Sequence, residues 1–298
     1  MNKKNLALLA ALAATTIYGL NHTIAKVVMP YYIEAFGFVQ LRLIGACMLF
    51  WTISFFMPKE KIEKKDYKMI FIITCVGMFI NMLMFIKGLS LSTPINSGLL
   101  VTLTPVIVLI LSSFLLKEKV TIEKSIGISL GFAGAVLLIF LGGNFVKNAP
   151  NIPLGNIMLL INSISYGTYL VLIKPLIKKY HIITLMKWMF LIGVFINLPI
   201  TFSEFIQVKW TSLPFEAVWR MVFVVFGTTF CTYLLNVYAL KTLSPTTIGA
   251  FAYLNPLIAI IYAILTNNDK LDLPKTIAAF LVLFGLYLVS KKSKTNIA

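Results

Sequence analysis

The sequence predicts an all-α integral membrane protein: ten transmembrane helices arranged as two inverted five-helix repeats. Three observations carry this expectation. The 298 residues are 59% hydrophobic and only 12% charged, with a mean hydropathy of +0.91, a composition typical of membrane chains. Apolar windows of roughly 20 residues, the length that crosses a hydrocarbon core of about 30 Å, recur ten times. A stretch of the first half also returns in the second at a fixed offset, and basic residues concentrate in alternate connections.

The windows run 5–28, 36–57, 69–88, 94–116, 123–141, 154–174, 183–202, 216–240, 245–266 and 273–290. Their connections are mostly short, so no segment is long enough for a soluble catalytic domain. Span 1 opens MNKKNLALLAALAATT, which imitates a secretory signal. Its apolar run continues through Ile17 and Ile24 to Val28, too long for a signal core, so it reads as a retained span. It carries Tyr18, Asn21 and His22, the only intramembrane histidine, which reads as a neutral hydrogen-bonded group more than a proton carrier. Lys26, at its outer end, reads as a snorkelling side chain. Span 2 holds Arg42 several residues deeper, where attraction of a substrate carboxylate and snorkelling stay equally open. Span 3 contributes Asn81.

Span 4 reads STPINSGLLVTLTP over 92–105. Pro94 starts the span, where its missing donor is unpaired anyway. Pro105 lies inside it and frees the carbonyl of Val101, which membrane depth tolerates only beside neighbouring helices, hydroxyls or cavity water. Pro105, with Asn96, Ser97 and Thr102 around it, therefore marks a kink in a cavity wall. Span 5 contains GISLG, with Gly127 and Gly131 in GxxxG spacing, which permits close packing against span 10 or a second protomer and so leaves a homodimer open. Span 6 supplies Asn162, Ser163, Ser165 and Tyr166. In span 8, Thr229, Thr232, Tyr233 and Asn236 follow helical i, i+3, i+4, i+7 spacing and share one face. Span 9 mirrors span 4: Pro245 starts it, Pro256 frees the carbonyl of Ala252, and Tyr253 and Asn255 stand beside the kink.

Eighteen Lys residues lie in or beside the terminal segments and the loops after spans 2, 4, 6 and 8. Six Lys and Arg residues lie on the other side. Because Lys and Arg stay cytoplasmic, both termini are expected inside a bacterial-type cytoplasmic membrane. The net charge of +16 thus encodes topology and not a nucleic-acid partner. All ten Asp and Glu residues lie in loops or at span edges. A buried carboxylate proton relay is absent, which leaves facilitated diffusion, exchange, or coupling through His22 or the substrate's own ionisation. Cys47, Cys75 and Cys231 stand singly in different spans without metal-ligand spacing, and no metal or cofactor is expected.

Residues 92–105 align with 243–256 at an offset of 151: Pro94 on Pro245, Gly98 on Gly249, Leu103 on Leu254 and Pro105 on Pro256. The register runs on through Lys119 and Lys270 to Gly134 and Gly285. Tyr18-Gly19 and Lys26 fall on Tyr166-Gly167 and Lys174 at an offset of 148. A duplicated unit of five spans, 5–141 and 153–290, must insert its second copy in the opposite sense, the arrangement of secondary transporters with a midplane site.

Together, this duplication, YGLNHTIAK in span 1, Arg42, LTPVIVLILSSFLLKEK closing span 4 and GISLGFAG in span 5 resemble the EamA family of the drug/metabolite transporter superfamily. The resemblance implies a ten-helix bundle with spans 1, 3, 4, 6, 8 and 9 around a central cavity and spans 5 and 10 outside it. It also implies export of small metabolites, often amino acids. The sequence departs from the pattern at Tyr18, where Trp is common before the glycine, and at NNDK (267–270), which replaces the LKEK of the first copy.

The expected function is a transporter of a small-molecule substrate through the lipid bilayer by alternating access. The expected binding residues are Tyr18, Asn21, His22, Asn81, Asn96, Thr102, Asn162, Tyr166, Thr229, Tyr233, Asn236, Tyr253 and Asn255. A flippase of lipid or a lipid-linked carrier is the alternative, and it requires a lateral opening. An enzyme is disfavoured because no nucleophile, paired-carboxylate or metal cluster collects at either interface.

Overall fold

In a hydrocarbon core no water satisfies backbone N–H and C=O groups, so a crossing segment must bond within itself. The computed structural model describes residues 2–118, 120–141, 149–265 and 273–290, and among them there is helix and no strand. Lys119, Lys147, the 267–270 stretch and Lys291, Lys292 and Lys294 lie outside the described residues, and with them the Lys119–Lys270 pairing.

The helices are α1 (Lys3–Val28), α2 (Ala35–Phe55), α3 (Tyr67–Thr74), α4 (Asn81–Leu91), α5 (Pro94–Val101), α6 (Thr104–Leu115), α7 (Ile122–Leu141), α8 (Ile152–Leu172), α9 (Lys174–Lys179), α10 (Ile182–Ile206), α11 (Phe215–Val222), α12 (Thr232–Thr242), α13 (Pro245–Ala250), α14 (Leu254–Leu265) and α15 (Leu273–Ser290). Among the described residues, six helical runs are long and apolar enough to cross a membrane: Lys3–Val28, Ala35–Phe55, Lys64–Leu91, Ile152–Lys179, Ile182–Ile206 and Phe215–Thr242.

Four predicted spans are not continuous α-helices. A π-helical segment, Cys75–Ile80, joins α3 to α4, and a second, Phe223–Cys231, joins α11 to α12. Span 4 breaks after Val101 and span 9 after Ala250, where Phe251–Tyr253 form a 3₁₀ turn. Pro105 and Pro256 therefore do not kink running helices. Each lies early in a new helix, α6 or α14, where a proline removes a donor that has no partner in any case. The boundaries recur with the spacing of the sequence match. The π segments end at Ile80 and Cys231, α4 and α12 are 11 residues each, and α5 and α13 start at Pro94 and Pro245.

The principal helix pairs are α7 with α15, α2 with α10, α4 with α8 and α1 with α12. Gly127 and Gly285 meet where α7 crosses α15, and a Cβ on Gly285 would lie 2.5 Å from the Gly127 carbonyl oxygen. The GxxxG pattern of span 5 thus faces span 10, and a second protomer would have to use another surface.

Lys26 does not snorkel. Its Nζ donates to the carbonyls of Leu89 (2.7 Å), Ser90 (2.7 Å) and Ser92 (2.9 Å), closing the C-terminus of α4. Helix C-termini carry unpaired carbonyls and a partial negative charge, which this half-buried ammonium satisfies at once. Lys174 does the same for α12, donating to the carbonyls of Leu240 and Leu243. At the end of the bundle that holds Lys174, Glu118 accepts from Lys124 Nζ at 3.0 Å and from Thr246 Oγ1 at 2.8 Å, tying the end of span 4 to the start of span 9. Asp66 accepts from Lys179 and from Tyr180 Oη there, each at 2.6 Å. At the opposite end Glu204 caps α2, accepting from the N–H groups of Phe36 (2.6 Å) and Gly37 (3.0 Å).

Two outcomes follow from these contacts. Gly285→Leu forces α15 away from α7 and is expected to cost about 1–3 kcal/mol, the range for overpacked cores, read as a lower unfolding temperature in detergent. Burial raises the Glu118 carboxyl pKa, but the hydrogen bonds from Lys124 and Thr246 outweigh it and hold the group below its ordinary 4.5. Its contribution to stability is full above that value and is lost as pH falls through the folded pKa. Glu118→Gln should therefore lower the unfolding temperature at neutral pH and flatten its decline between neutral and acidic buffers.

Candidate functional site

The interrupted spans converge on one cavity, whose empty space with its open mouth included is about 720 Å³. Its walls come from α1 (Thr15, Tyr18, Asn21, His22), α4 (Asn81, Met82, Phe85), α8 (Asn162, Tyr166), the second π segment (Thr228) and α12 (Tyr233, Asn236). Spans 4 and 9 complete it with Val101, Ile248, Ala252 and Asn255. These are the spans expected around the cavity, and α2 adds Arg42. Val101 and Ala252, whose carbonyls lie four residues before the two prolines, are both on the wall.

The polar lining is tied together from several helices. Asn81 and Asn162 exchange bonds, each side-chain amide donating to the other's backbone carbonyl at 3.3 and 3.0 Å. Thr228 Oγ1 donates to Asn21 Oδ1 at 3.1 Å, and Asn236 Nδ2 donates to Tyr166 Oη at 3.1 Å. His22 Nδ1 lies 3.0 Å from Ser97 Oγ, and its ring meets Phe85 edge-on at 5.5 Å. Tyr18 and Tyr166 meet edge to face at 6.3 Å, and Tyr233 Oη donates to the Gly77 carbonyl at 3.0 Å.

Nine of the thirteen expected residues line the cavity: Tyr18, Asn21, His22, Asn81, Asn162, Tyr166, Tyr233, Asn236 and Asn255. Four do not. Thr229 is turned away because the π segment adds a residue to the turn. Its hydroxyl bonds the carbonyl of Val224, five residues back, and receives Arg42 Nε at 2.9 Å. Thr228 takes the wall position in its place, a shift that α-helical spacing could not anticipate. Tyr253 is fully buried, its ring at the site where a Cβ on Gly131 would fall, so it packs against α7. Asn96 and Thr102 sit on or beside α5 away from the cavity: the backbone N–H of Asn96 donates to Thr93 Oγ1, and Thr102 is buried at the break. Reading the sequence for polar residues missed the apolar lining of Met82, Phe85, Val101, Ile248 and Ala252, which carries no polar signal.

Three buried polar atoms on cavity residues have no hydrogen-bond partner: Asn21 Nδ2, Arg42 Nη1 and Asn255 Oδ1. Among the described residues, no group of His, Cys, Asp and Glu is arranged to hold a metal ion.

The family model of the EamA-like transporter family matches residues 5–140 and 153–291. The chain is 25% identical over 298 residues to the uncharacterized transporter YetK of Bacillus subtilis, covering 98% of this chain and 89% of YetK. It is 24% identical to the uncharacterized transporter YoaV of the same organism over 94% and 95% of the two chains. It is 23% identical to a WAT1-related protein of Arabidopsis thaliana over 91% and 79%. A solved crystal structure superposes with a TM-score of 0.74 at 14% identity, covering 96% of each chain, a likeness of fold alone.

The reciprocal Asn81–Asn162 bridge is a measurable contact between α4 and α8. Asn81→Ala and Asn162→Ala each delete one donor and leave the backbone carbonyl that accepts the other bond, so each is expected to lower stability in detergent by about 0.6 kcal/mol, the average for hydrogen bonds between membrane helices, and the double variant should lose nearly the sum.

Proposed function

Because the chain belongs to the EamA-like transporter family, we propose that it exports small metabolites, amino acids among them, across the cytoplasmic membrane by alternating access of two inverted five-helix repeats, 5–141 and 153–290. It is a membrane transporter and not an enzyme. The observation that supports the finer reading is the cavity, whose polar wall is drawn from both halves and from the interrupted spans of each. Broken helices around a central site are the device by which secondary transporters expose backbone and side-chain polar groups to a substrate inside a bilayer.

The matching boundaries of α4 with α12 and of α5 with α13 favour the duplicated architecture, as does the paired capping by Lys26 and Lys174. An odd number of spans per repeat then inverts the second copy, and the lysine bias places both termini in the cytoplasm. The cavity residues of the two halves, Tyr18, Asn21, His22, Asn81 and Asn255 with Asn162, Tyr166, Tyr233 and Asn236, form the binding site in this reading. Rocking of the halves would alternately open the end held by Glu118 and Thr246 and the end held by Lys26 and Glu204. With no carboxylate on the wall among the described residues, this reading leaves flux down the metabolite gradient, exchange, or coupling through His22 or the substrate's own ionisation.

Proteoliposomes loaded with isotopically labelled amino acids and related metabolites test this. Saturable efflux of one chemical class is expected, and Asn236→Ala, which removes the amide bonded to Tyr166, should slow it severalfold while leaving the unfolding temperature near that of the parent. Lipid scrambling in place of metabolite efflux would replace this reading with that of a flippase.

A further inference from the structure

The transport reading does not specify the charge of what is carried, and Arg42 supplies that information. It lies in the interior of α2, is 4% exposed, and is the only Lys or Arg on the cavity wall among the described residues. Its Nε donates to Thr229 Oγ1 at 2.9 Å, while Nη1 has no partner. Among the described residues no Asp or Glu lines the cavity and no carboxylate pairs with this guanidinium. A buried charge without a counter-ion is costly and persists in a membrane span chiefly where function requires it.

Helix packing does not require it. At the 148-residue offset, Leu43-Ile44-Gly45 falls on Leu191-Ile192-Gly193, so the residue equivalent to Arg42 is Phe190. Phe190 fills its place as an ordinary core residue, fully buried and stacked on Phe50 at 5.2 Å. One half of the molecule therefore holds this position with a phenyl ring, and the other places a cation there beside the cavity.

We infer that the substrate is an organic anion whose carboxylate docks on the Arg42 guanidinium. The inference rests on the transport reading above. Guanidinium presents a planar fork of donors that matches a carboxylate, and Asn21 Nδ2 is a second unpaired donor on the same wall. Asn255 Oδ1 is an unpaired acceptor there, suited to a hydroxyl or N–H elsewhere on the substrate. Tyr18, Phe85, Tyr166 and Tyr233 give the cavity aromatic walls for an apolar body. A wall with one cation and no anion selects carboxylates over their amides and over amines.

The purified full chain in detergent is dialysed to equilibrium against a pool of monocarboxylates, their primary amides, amino acids and amines, and the retained compounds are read by mass spectrometry. Carboxylates should be retained at least about tenfold over their amides, a difference that a single charge-assisted contact can supply. Arg42→Gln should abolish that preference, and Arg42→Lys should keep part of it, because an ammonium restores charge without the fork. Thr229→Asp leaves Arg42 in place but supplies an internal counter-ion at the atom its Nε already touches. It should raise the unfolding temperature and abolish carboxylate retention, which separates loss of the docking charge from loss of fold.

Retention of amides or amines as strong as that of carboxylates would overturn the inference, as would a preference that survives Arg42→Gln. Saturable flux in proteoliposomes combined with no carboxylate preference would sink this assignment and leave transport standing. Carboxylate retention that depends on Arg42 with no flux would do the reverse.

Discussion

The exclusion of water from a bilayer core sets the rest of this structure, because every backbone polar group that leaves a regular helix there must find a partner within the protein. The chain departs from α-helical regularity in four spans, and polar side chains of neighbouring helices meet many of the freed groups. Ser165 Oγ donates to the Val76 carbonyl at 2.6 Å and Tyr233 Oη to that of Gly77, both in the first π segment. Ser163 Oγ donates to the Leu100 carbonyl at 2.9 Å beside the break in span 4. Lys26 and Lys174 close the ends of α4 and α12. Much of the intramembrane polarity is therefore structural, holding irregular backbone in place.

What remains after that demand is met lies on the cavity wall. The same irregularities make the cavity, since a π turn rotates the residues that follow it and a broken helix exposes the turn at its break. Thr228, Tyr233 and Asn236 face the cavity because the second π segment sets their register, while Thr229 is spent on Arg42 and on its own backbone. A lysine caps a helix C-terminus at each end of the bundle, joined at one end by charged contacts around Glu118, Asp66 and Lys179 and at the other by the Glu204 cap on α2. Both kinds of contact join spans that are not neighbours in the sequence at the rim, and among the described residues they leave the interior free of ion pairs.

Similar element lengths in the two halves do not make the cavity symmetric. Where one half has Arg42, Asn21 and Asn81, the positions matched by sequence in the other hold Phe190, Tyr169 and Thr232. Of these three only Thr232 is polar without an aromatic ring, and it bonds the Thr228 carbonyl of its own helix. A shared framework thus carries an asymmetric wall: its cation, Arg42, comes from the first half, while amides and aromatic rings come from both.

The sequence by itself determined that the chain is helical and membrane-embedded, because hydropathy over 20-residue windows reports directly on the only backbone solution lipid allows. It also placed the interruptions in spans 4 and 9, because proline declares itself. Most of the polar wall was legible as well, since Asn, His and Tyr in lipid-length apolar runs are costly unless they face inward. Tertiary structure alone decided the role of Lys26, because its partners are carbonyls more than sixty residues away in the chain. The same holds for the exchange of Thr229 for Thr228, which a π turn produces without any residue type that signals it, and for the burial of Tyr253 against Gly131. It also decided that Arg42 faces a cavity and not the headgroups. Depth along a helix can be counted from sequence, but the direction a side chain faces is fixed only by what the neighbouring helices leave open.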